Sequence, residues 1–361
     1  MARIYNFSAG PAILPEPVLK QAQQDLWEFG ESGLGIAECS HRSKLFDAVA
    51  VSARTRVARL LGVSLDEYAV LFLQGGARGQ FFQFPMNMLQ GGRATYLDTG
   101  RWDDMAAKDA ARYGDVDVAW SSQETGWNRV PNDDDYVVQN DTRYLHYTSN
   151  NTVAGGEFRH TPDAKGAWLV CDMSSNFLSH PVDGTKFDFI YAGAQKNVGP
   201  SGVTICVIRR SLLDRVASDV PDVLRYDKQV AKDGMVNTPC TFGIYVIEQV
   251  CRWLEDDMGG LSGIEARNIA QANKVYAQID GTDFWQGKVE TSARSRMNIT
   301  FTTGNPELDT AFVKAADEAR LSGLKGHRSV GGLRASLYNA QTDEAVDALV
   351  AFMAEFERTN G

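Results

Sequence analysis

A chain of 361 residues, 43% hydrophobic and 23% charged, has ample apolar material for a large soluble core, and its length suggests two domains sharing an extended interface. Its formal net charge of −10 argues against a nucleic-acid or anionic-membrane partner, so an acidic ligand must be met by a local cluster of arginines. No apolar signal core opens the sequence and no apolar run reaches membrane-spanning length, and five scattered cysteines without CxxC spacing suit a reducing compartment and offer no zinc motif; the expectation is a cytoplasmic protein with no metal site.

Short apolar runs alternate with longer amphipathic stretches. YAVLFL (68–73) predicts a strand and GQFFQFPMNML the start of a helix; RATYLDT (93–99) and DDMAAKDAARYG (103–114) repeat the pattern. VDVAWS, YLHYTS, GAWLVCDMS, FDFIYAGA and GVTICVIRR follow as strands. Several are apolar at both alternations, as strands covered on both faces must be, so the expected fold is α/β with a mostly parallel sheet. DGMVNTPCTFG (233–243) predicts a surface loop. The character changes after about residue 258. A long helix in DMGGLSGIEARNIAQANKVYAQID, a strand in SRMNITFTT, a helix in LDTAFVKAADEARL, a strand in GLRASLYNA and a last helix predict a compact α+β unit. We therefore expect a large domain over residues 1–258, including the N-terminal segment, and a small domain over 259–361.

YAGAQKNVGPSG (191–202) ends one apolar run and turns into another, with Lys196 between them. A lysine is costly at a strand end that points into a core, so it needs a task. Ligand chemistry in α/β sheets gathers at the carboxyl ends of strands. That leaves Lys196 three roles: phosphate ligand, ion-pair partner, or Schiff-base nucleophile with its pKa lowered by poor solvation. Upstream, GAWLVCDMSSNF sets Asp172 at the end of another apolar strand, where an aspartate often only caps a helix. Together the two residues meet the demand of pyridoxal 5'-phosphate, which takes a lysine on its aldehyde and a carboxylate beside its ring nitrogen. LQGGARGQFFQF (73–84) adds a glycine-rich turn before a helix, where the backbone amides of Gly76, Ala77 and Arg78 could bind a phosphate. It lacks the Lys-Ser ending of a nucleotide P-loop and the spacing of a dinucleotide fingerprint.

With NFSAGPAILP, SHRS, NTPCTF, SRMNITF and KGHRSVGGLRASLYNA, these segments make the chain resemble, essentially end to end, the phosphoserine aminotransferases, pyridoxal-phosphate enzymes of the class V, fold-type I group. The resemblance implies a fold-type I transferase: a large cofactor-binding domain with a mostly parallel mixed sheet and a smaller C-terminal α+β domain. It implies that Lys196 carries the cofactor, that Asp172 pairs with the ring nitrogen, that Trp102 stacks on the ring and that Thr152 bonds the phenolic oxygen. Gln195 and the Ala77–Arg78 backbone become phosphate contacts. Asn237 and Thr238 reach the same phosphate from the neighbouring subunit, so the resemblance implies a homodimer with shared active sites. Two departures stand out. Asn150-Asn151-Thr152 replaces the usual Asn-Glu-Thr, removing a carboxylate, and Cys240 stands where a small residue or proline is common; a packed cysteine is the simpler expectation there.

Phosphoserine and glutamate share an amino-acid head and an anionic tail, so one site serving both needs a guanidinium for the α-carboxylate and a basic cluster for the tail. Arg334 alternates with Leu333 and Ala335 as a strand residue facing a cleft would, and the resemblance makes it the bidentate clamp. His327 and Arg328 match the tail binders, joined by His41 and Arg42 across the dimer interface. A phosphate could hold such a histidine protonated. His146, His160 and His180 are assigned no role, and Arg294 and Arg296 are expected to be structural. The implied reaction is a ping-pong exchange in which glutamate and 3-phosphohydroxypyruvate give phosphoserine and 2-oxoglutarate; a longer phosphorylated oxo acid of vitamin B6 synthesis stays open. The alternatives are another class V aminotransferase for uncharged substrates, which would not need His327 and Arg328, and a catalytically silent protein of the same fold, which would not need Lys196.

Overall fold

The computed structural model describes residues 3–361. In chain order the strands are β1 (Tyr5–Asn6), β2 (Tyr68–Gln74), β3 (Arg93–Asp98), β4 (Asp115–Ser121), β5 (Thr142–Thr148), β6 (Trp168–Asp172), β7 (Phe189–Gly193), β8 (Val203–Arg209), β9 (Gln286–Gly287), β10 (Asn298–Thr302), β11 (Leu321–Ser322) and β12 (Leu333–Ser336). The α-helices are α1 (Glu16–Trp27), α2 (Lys44–Leu60), α3 (Arg78–Met88), α4 (Arg101–Ala110), α5 (Tyr226–Ala231), α6 (Thr241–Asp256), α7 (Gly260–Asp280), α8 (Pro306–Glu318) and α9 (Asp343–Asn360).

The main sheet has the order β2-β8-β7-β6-β5-β3-β4, and only β8 runs against its neighbours, so the sheet is mixed but mostly parallel, as expected. Its strands are apolar at both alternations because each face meets helices. Along β8, Ile205 and Val207 enter one core with α2 and α6, while Cys206 and Ile208 enter the other with α3 and α4. Phe189 and Tyr191 of β7 take the second core, and Ile190 and Ala192 the first. Burial on both faces favours these strands over any one-sided arrangement. α6 starts inside the segment 233–243 that the sequence led us to expect as loop.

A third core lies in the small sheet β12-β10-β9, packed by Ala272, Val275 and Ile279 of α7, Phe312 and Ala316 of α8, and Leu349, Met353 and Phe356 of α9. α7 spans two cores, since Leu261 and Ile264 near its start belong to the large one. The opening residues join the C-terminal part: β1 pairs with β11, and Phe7 is fully buried in the third core. Among the described residues, no helix is long and apolar enough to cross a membrane.

Candidate active site

The parallel strands β5, β6 and β7 deliver their carboxyl ends to one edge, where the register sets Thr148 beside Asp172 and Asp172 beside Tyr191. Beyond that edge the chain makes three turns. Lys196 sits in the last of them, closed by Val198 and Gly199 amides on the Ala194 carbonyl. Its Nζ donates to Thr152 Oγ1 at 2.6 Å and to Ser175 Oγ at 3.1 Å, and the two hydroxyls are 2.6 Å apart. Gly10, at φ +131°, lies against the lysine stem, so that a Cβ there would come within 3.4 Å of Lys196 Cγ. Burial lowers the Lys196 pKa to about 8, with the Asp172 charge opposing and Arg334 assisting. Asp172 is fully enclosed: burial raises its pKa, while Lys196 and the Ser174 amide, which donates to Oδ1 at 2.8 Å, hold it down. Desolvation outweighs mutual attraction at both ends of the pair.

Trp102 stands in the first turn of α4, with Lys196 Nζ 5.9 Å from its ring centroid and its own Nε1 buried without a partner. The turn after β2 is tied by the Gly75 amide to the Gly202 carbonyl. Next come Gly76, Ala77 and Arg78, whose amides are at the N-terminus of α3 and make no hydrogen bond within the described chain. Such amides form an anion site. Gln195 folds across Gly193, where a Cβ would approach its Oε1 to 2.7 Å, and that Oε1 is also unpartnered.

From the small sheet, Arg334 of β12 donates through Nη1 to the Thr152 carbonyl at 3.2 Å, and its Nε is buried with nothing to bond. A buried guanidinium with free donors is built for a carboxylate. His327 is half-buried in the loop before β12, its Nδ1 2.7 Å from Ser329 Oγ. Burial and the guanidiniums of Arg101, Arg334 and Arg328 push its pKa down, which makes Arg101 a member of this cationic cluster. Behind the loop, a groove of about 1020 Å³ between residues 325–332 and α8 holds neither Lys196 nor Asp172.

The other expected site residues lie apart from this group within one chain. Asn237 and Thr238 are exposed, and both bond Gln74, one residue before the glycine turn: Asn237 Nδ2 donates to Gln74 Oε1 at 2.7 Å, and Gln74 Nε2 donates to the Thr238 carbonyl. His41 and Arg42 lie just before α2, and neither side chain bonds the Lys196 group. His146 is core, stacked 4.7 Å from Tyr96 with Nε2 2.8 Å from the Tyr191 hydroxyl. His160 is at the surface near Asp133, and His180 is half-buried beside Ser179. Arg294 and Arg296 pair with Asp280 and Glu265. Cys240 is half-buried at the start of α6.

Several residues that hold the site escaped the sequence. Ser175 was visible only as part of DMSSNF, and Arg101 only as the neighbour of Trp102. Asn197 donates to the Ser175 carbonyl at 2.7 Å and accepts the Asn339 amide at 3.0 Å, which ties the lysine turn to SLYNA. Tyr338 donates to the Ala9 carbonyl at 2.8 Å, and the Ala12 amide donates to the Gln195 carbonyl at 2.9 Å. NFSAGPAILP is thus a strap across the lysine turn.

Residues 4–349 match the profile of the family described as aminotransferase class-V. The chain is 47% identical over 369 residues to a phosphoserine aminotransferase of Nitrosomonas europaea, covering 100% of both chains. It is 46% identical to one of Desulfatibacillum aliphaticivorans, covering 99% of each. Among solved structures, it superposes on the phosphoserine aminotransferase of Bacillus circulans subsp. alkalophilus with a TM-score of 0.97, 44% identity and 99% coverage of both chains. A pyridoxal-phosphate-bound phosphoserine aminotransferase of Trichomonas vaginalis gives a TM-score of 0.92 at 38% identity, covering 98% of this chain and 100% of that one.

Proposed function

The chain belongs to the class-V aminotransferases, within the phosphoserine aminotransferase family, and from that premise we propose that the cleft at Lys196 is its transaminase centre. It is a pyridoxal-phosphate-dependent transaminase of serine biosynthesis, exchanging the amino group between glutamate and 3-phosphohydroxypyruvate to give O-phosphoserine and 2-oxoglutarate. The donor set suits that cofactor on its own chemistry. It offers an amine titrating at about 8, an enclosed carboxyl, three free helix-start amides, and unpartnered polar atoms on Trp102 and Gln195. Lys196 would hold the aldehyde, Asp172 the ring nitrogen, Trp102 the ring face, Thr152 the phenolic oxygen, and Gln195 with Gly76, Ala77 and Arg78 the phosphate.

When bound, pyridoxal phosphate supplies an electrophilic carbon for amine exchange and a ring that accepts the electron pair left when the substrate Cα loses its proton. The chain does the rest. Arg334 fixes the α-carboxylate through its open Nε, orienting the Cα–H bond. Lys196 Nζ, placed beside the substrate Cα, would take up the Cα proton and hold it for return. Thr152 and Ser175 hold that nitrogen in place. Buried Asp172 would hold the ring nitrogen and keep it protonated. His327 and Arg328 take the anionic tail, with Arg101 adding positive potential.

Three finer statements belong to this proposal. The protein works as a homodimer in which His41, Arg42, Asn237 and Thr238 complete the partner's site; that none of these side chains bonds the Lys196 group within one chain supports this, as do the exposed Leu26, Trp27 and Leu34. It is cytoplasmic, in keeping with five free thiols. The chain divides near residue 258, supported by the separate third core. The observation that carries the assignment is the low-pKa Lys196 amine between two hydroxyls, with Asp172 nearby and an open arginine above. The test is a half-reaction: phosphoserine, glutamate and alanine are added separately to the yellow protein. Bleaching by the first two and not by alanine is expected, with borohydride fixing the cofactor on Lys196; bleaching by alanine alone would overturn the substrate assignment.

A further inference from the structure

We propose that Asp103 is a positioning residue of this site, a buried carboxyl that fixes the tryptophan-bearing turn of α4 to the loop that carries Thr152. The inference deepens the transaminase assignment and rests on it. Asp103 is fully buried and directly follows Trp102. One of its oxygens, Oδ2, accepts three donors: the Thr99 amide at 3.1 Å, the Thr99 hydroxyl at 2.9 Å and the Asn151 side-chain amide at 3.3 Å. Thr99 precedes Trp102 and Asn151 precedes Thr152, so a single oxygen joins the two segments that face Lys196. The segments are also in steric contact, since a Cβ on Gly100 would lie 2.4 Å from the Asn151 side chain. Asn151 is locked in its own loop, its amide donating to the Gly156 carbonyl and its carbonyl accepting from Gly155. Anchoring its side chain therefore orients the whole loop. The Thr152 hydroxyl receives Lys196 and the Thr152 carbonyl receives Arg334. The ring, the nucleophile and the carboxylate clamp share one frame, and Asp103 sets it.

The second oxygen explains why a carboxyl is tolerated so deep. Oδ1 lies 4.0 Å from His146 Nδ1, too far for a direct hydrogen bond, and the Thr148 hydroxyl also faces this carboxyl. Burial pushes Asp103 up to about 8 and His146 down to about 3, so around neutral pH the pair is an acid and a neutral imidazole. Because Oδ2 already takes three donors, the acid proton belongs on Oδ1, on the side of His146 and Thr148; His146 Nε2 is hydrogen-bonded to the Tyr191 hydroxyl at 2.8 Å. This arrangement also accounts for residue 151. The sequence led us to expect a lost carboxylate beside Thr152; the structure sets a carboxyl 3.3 Å from the Asn151 side chain, from α4 rather than from the loop. An amide at 151 donates to Oδ2 of that carboxyl, whereas a carboxylate there would have no proton to offer it.

The experiment uses cofactor-free full-length protein with four variants: Asp103→Asn, Asp103→Ala, Asn151→Glu, and Asp103→Ser combined with Asn151→Glu. Two quantities are read, neither requiring turnover: the Kd for pyridoxal phosphate by tryptophan quenching, and the midpoint pH of reductive methylation at Lys196 by peptide mass spectrometry. Asp103→Ala is expected to weaken binding about tenfold and raise the methylation midpoint, as water enters beside Thr152. Asp103→Asn keeps the shape and a donor toward His146, so it should stay within about threefold of the parent. Asn151→Glu alone should weaken binding about tenfold, and the double variant should recover most of that loss. The proposal is overturned if Asp103→Ala matches the parent, if Asp103→Asn is as damaged as Asp103→Ala, or if the Asn151→Glu loss is unchanged in the double variant. Should Asp103→Ala not fold, the amide and double variants still decide. Failure of the transaminase assignment looks different, because the parent protein itself would then bind no pyridoxal phosphate at Lys196.

Discussion

Removing the positive charge at position 334 should make the buried amine less reactive, not more. With its pKa lowered to about 8, Lys196 is neutral in about 9% of molecules at pH 7, against about 0.03% for a lysine at its ordinary 10.5. The fold therefore raises the supply of nucleophilic amine about 300-fold before any cofactor arrives. Burial is the main cause, and Arg334 contributes by disfavouring a second cation nearby. Arg334→Met keeps an apolar stem and removes that repulsion, so the Lys196 pKa should rise and the neutral fraction at pH 7 should fall. The assay is reductive methylation of cofactor-free protein from pH 6 to 11, read on the Lys196 peptide by mass spectrometry. The parent should titrate near 8 and Arg334→Met above it. A parent midpoint near 10.5, or an Arg334→Met midpoint below that of the parent, would refute the electrostatic account.

Three further outcomes are expected. Lys196→Met should stabilise the cofactor-free protein at pH 7 by about 3 kcal/mol, the equivalent of the depressed pKa. Between about 8 and 10.5 the unfolded chain holds a proton that the folded chain has shed, so parent stability rises with pH across that window; denaturant titrations should show the variant's advantage shrinking there and gone above it. Arg328→Ala should raise the KM for phosphoserine about tenfold or more and leave the affinity for pyridoxal phosphate unchanged, as steady-state kinetics and a cofactor titration would show. Because burial, and after it three guanidiniums, hold the His327 pKa down in the free protein, a phosphate dianion arriving there should draw a proton onto the ring. Phosphoserine affinity should then fall as pH rises through neutrality, and the fall should flatten in His327→Asn when Kd is followed by titration.

Residues that violate their surroundings were the easiest to find in the sequence. Lys196 and Asp172 are charges at the ends of apolar strands, and Asp172 does close β6, in register with Thr148 and Tyr191. Arg334 was visible for the same reason. Supporting residues carried no such contrast. Ser175 is one serine among several, and the Asn197–Asn339 bond joins positions 142 residues apart. Asp103 resembled its neighbour Asp104, an exposed-face acid paired with Lys108; only the packing of α4 separates them. Helix α6 has a polar stripe at Gln249, Arg252, Glu255 and Asp256, but its first turn, Thr241-Phe242-Gly243, follows Pro239 without that contrast and so read as loop. The inner faces of α1 and α2 rest largely on alanine and valine, which give weak contrast with their outer faces.

The pairing of Tyr5 with Leu321 has a consequence for biosynthesis. The first strand to leave the ribosome must wait for a neighbour encoded 316 positions later, and the strap over the lysine turn waits with it. The large sheet has all its strands long before that point and can form while translation continues. Catalytic competence should therefore appear only once residue 321 has emerged and joined β1, and a nascent polypeptide stalled near residue 300 should hold the large sheet yet be unable to retain the cofactor.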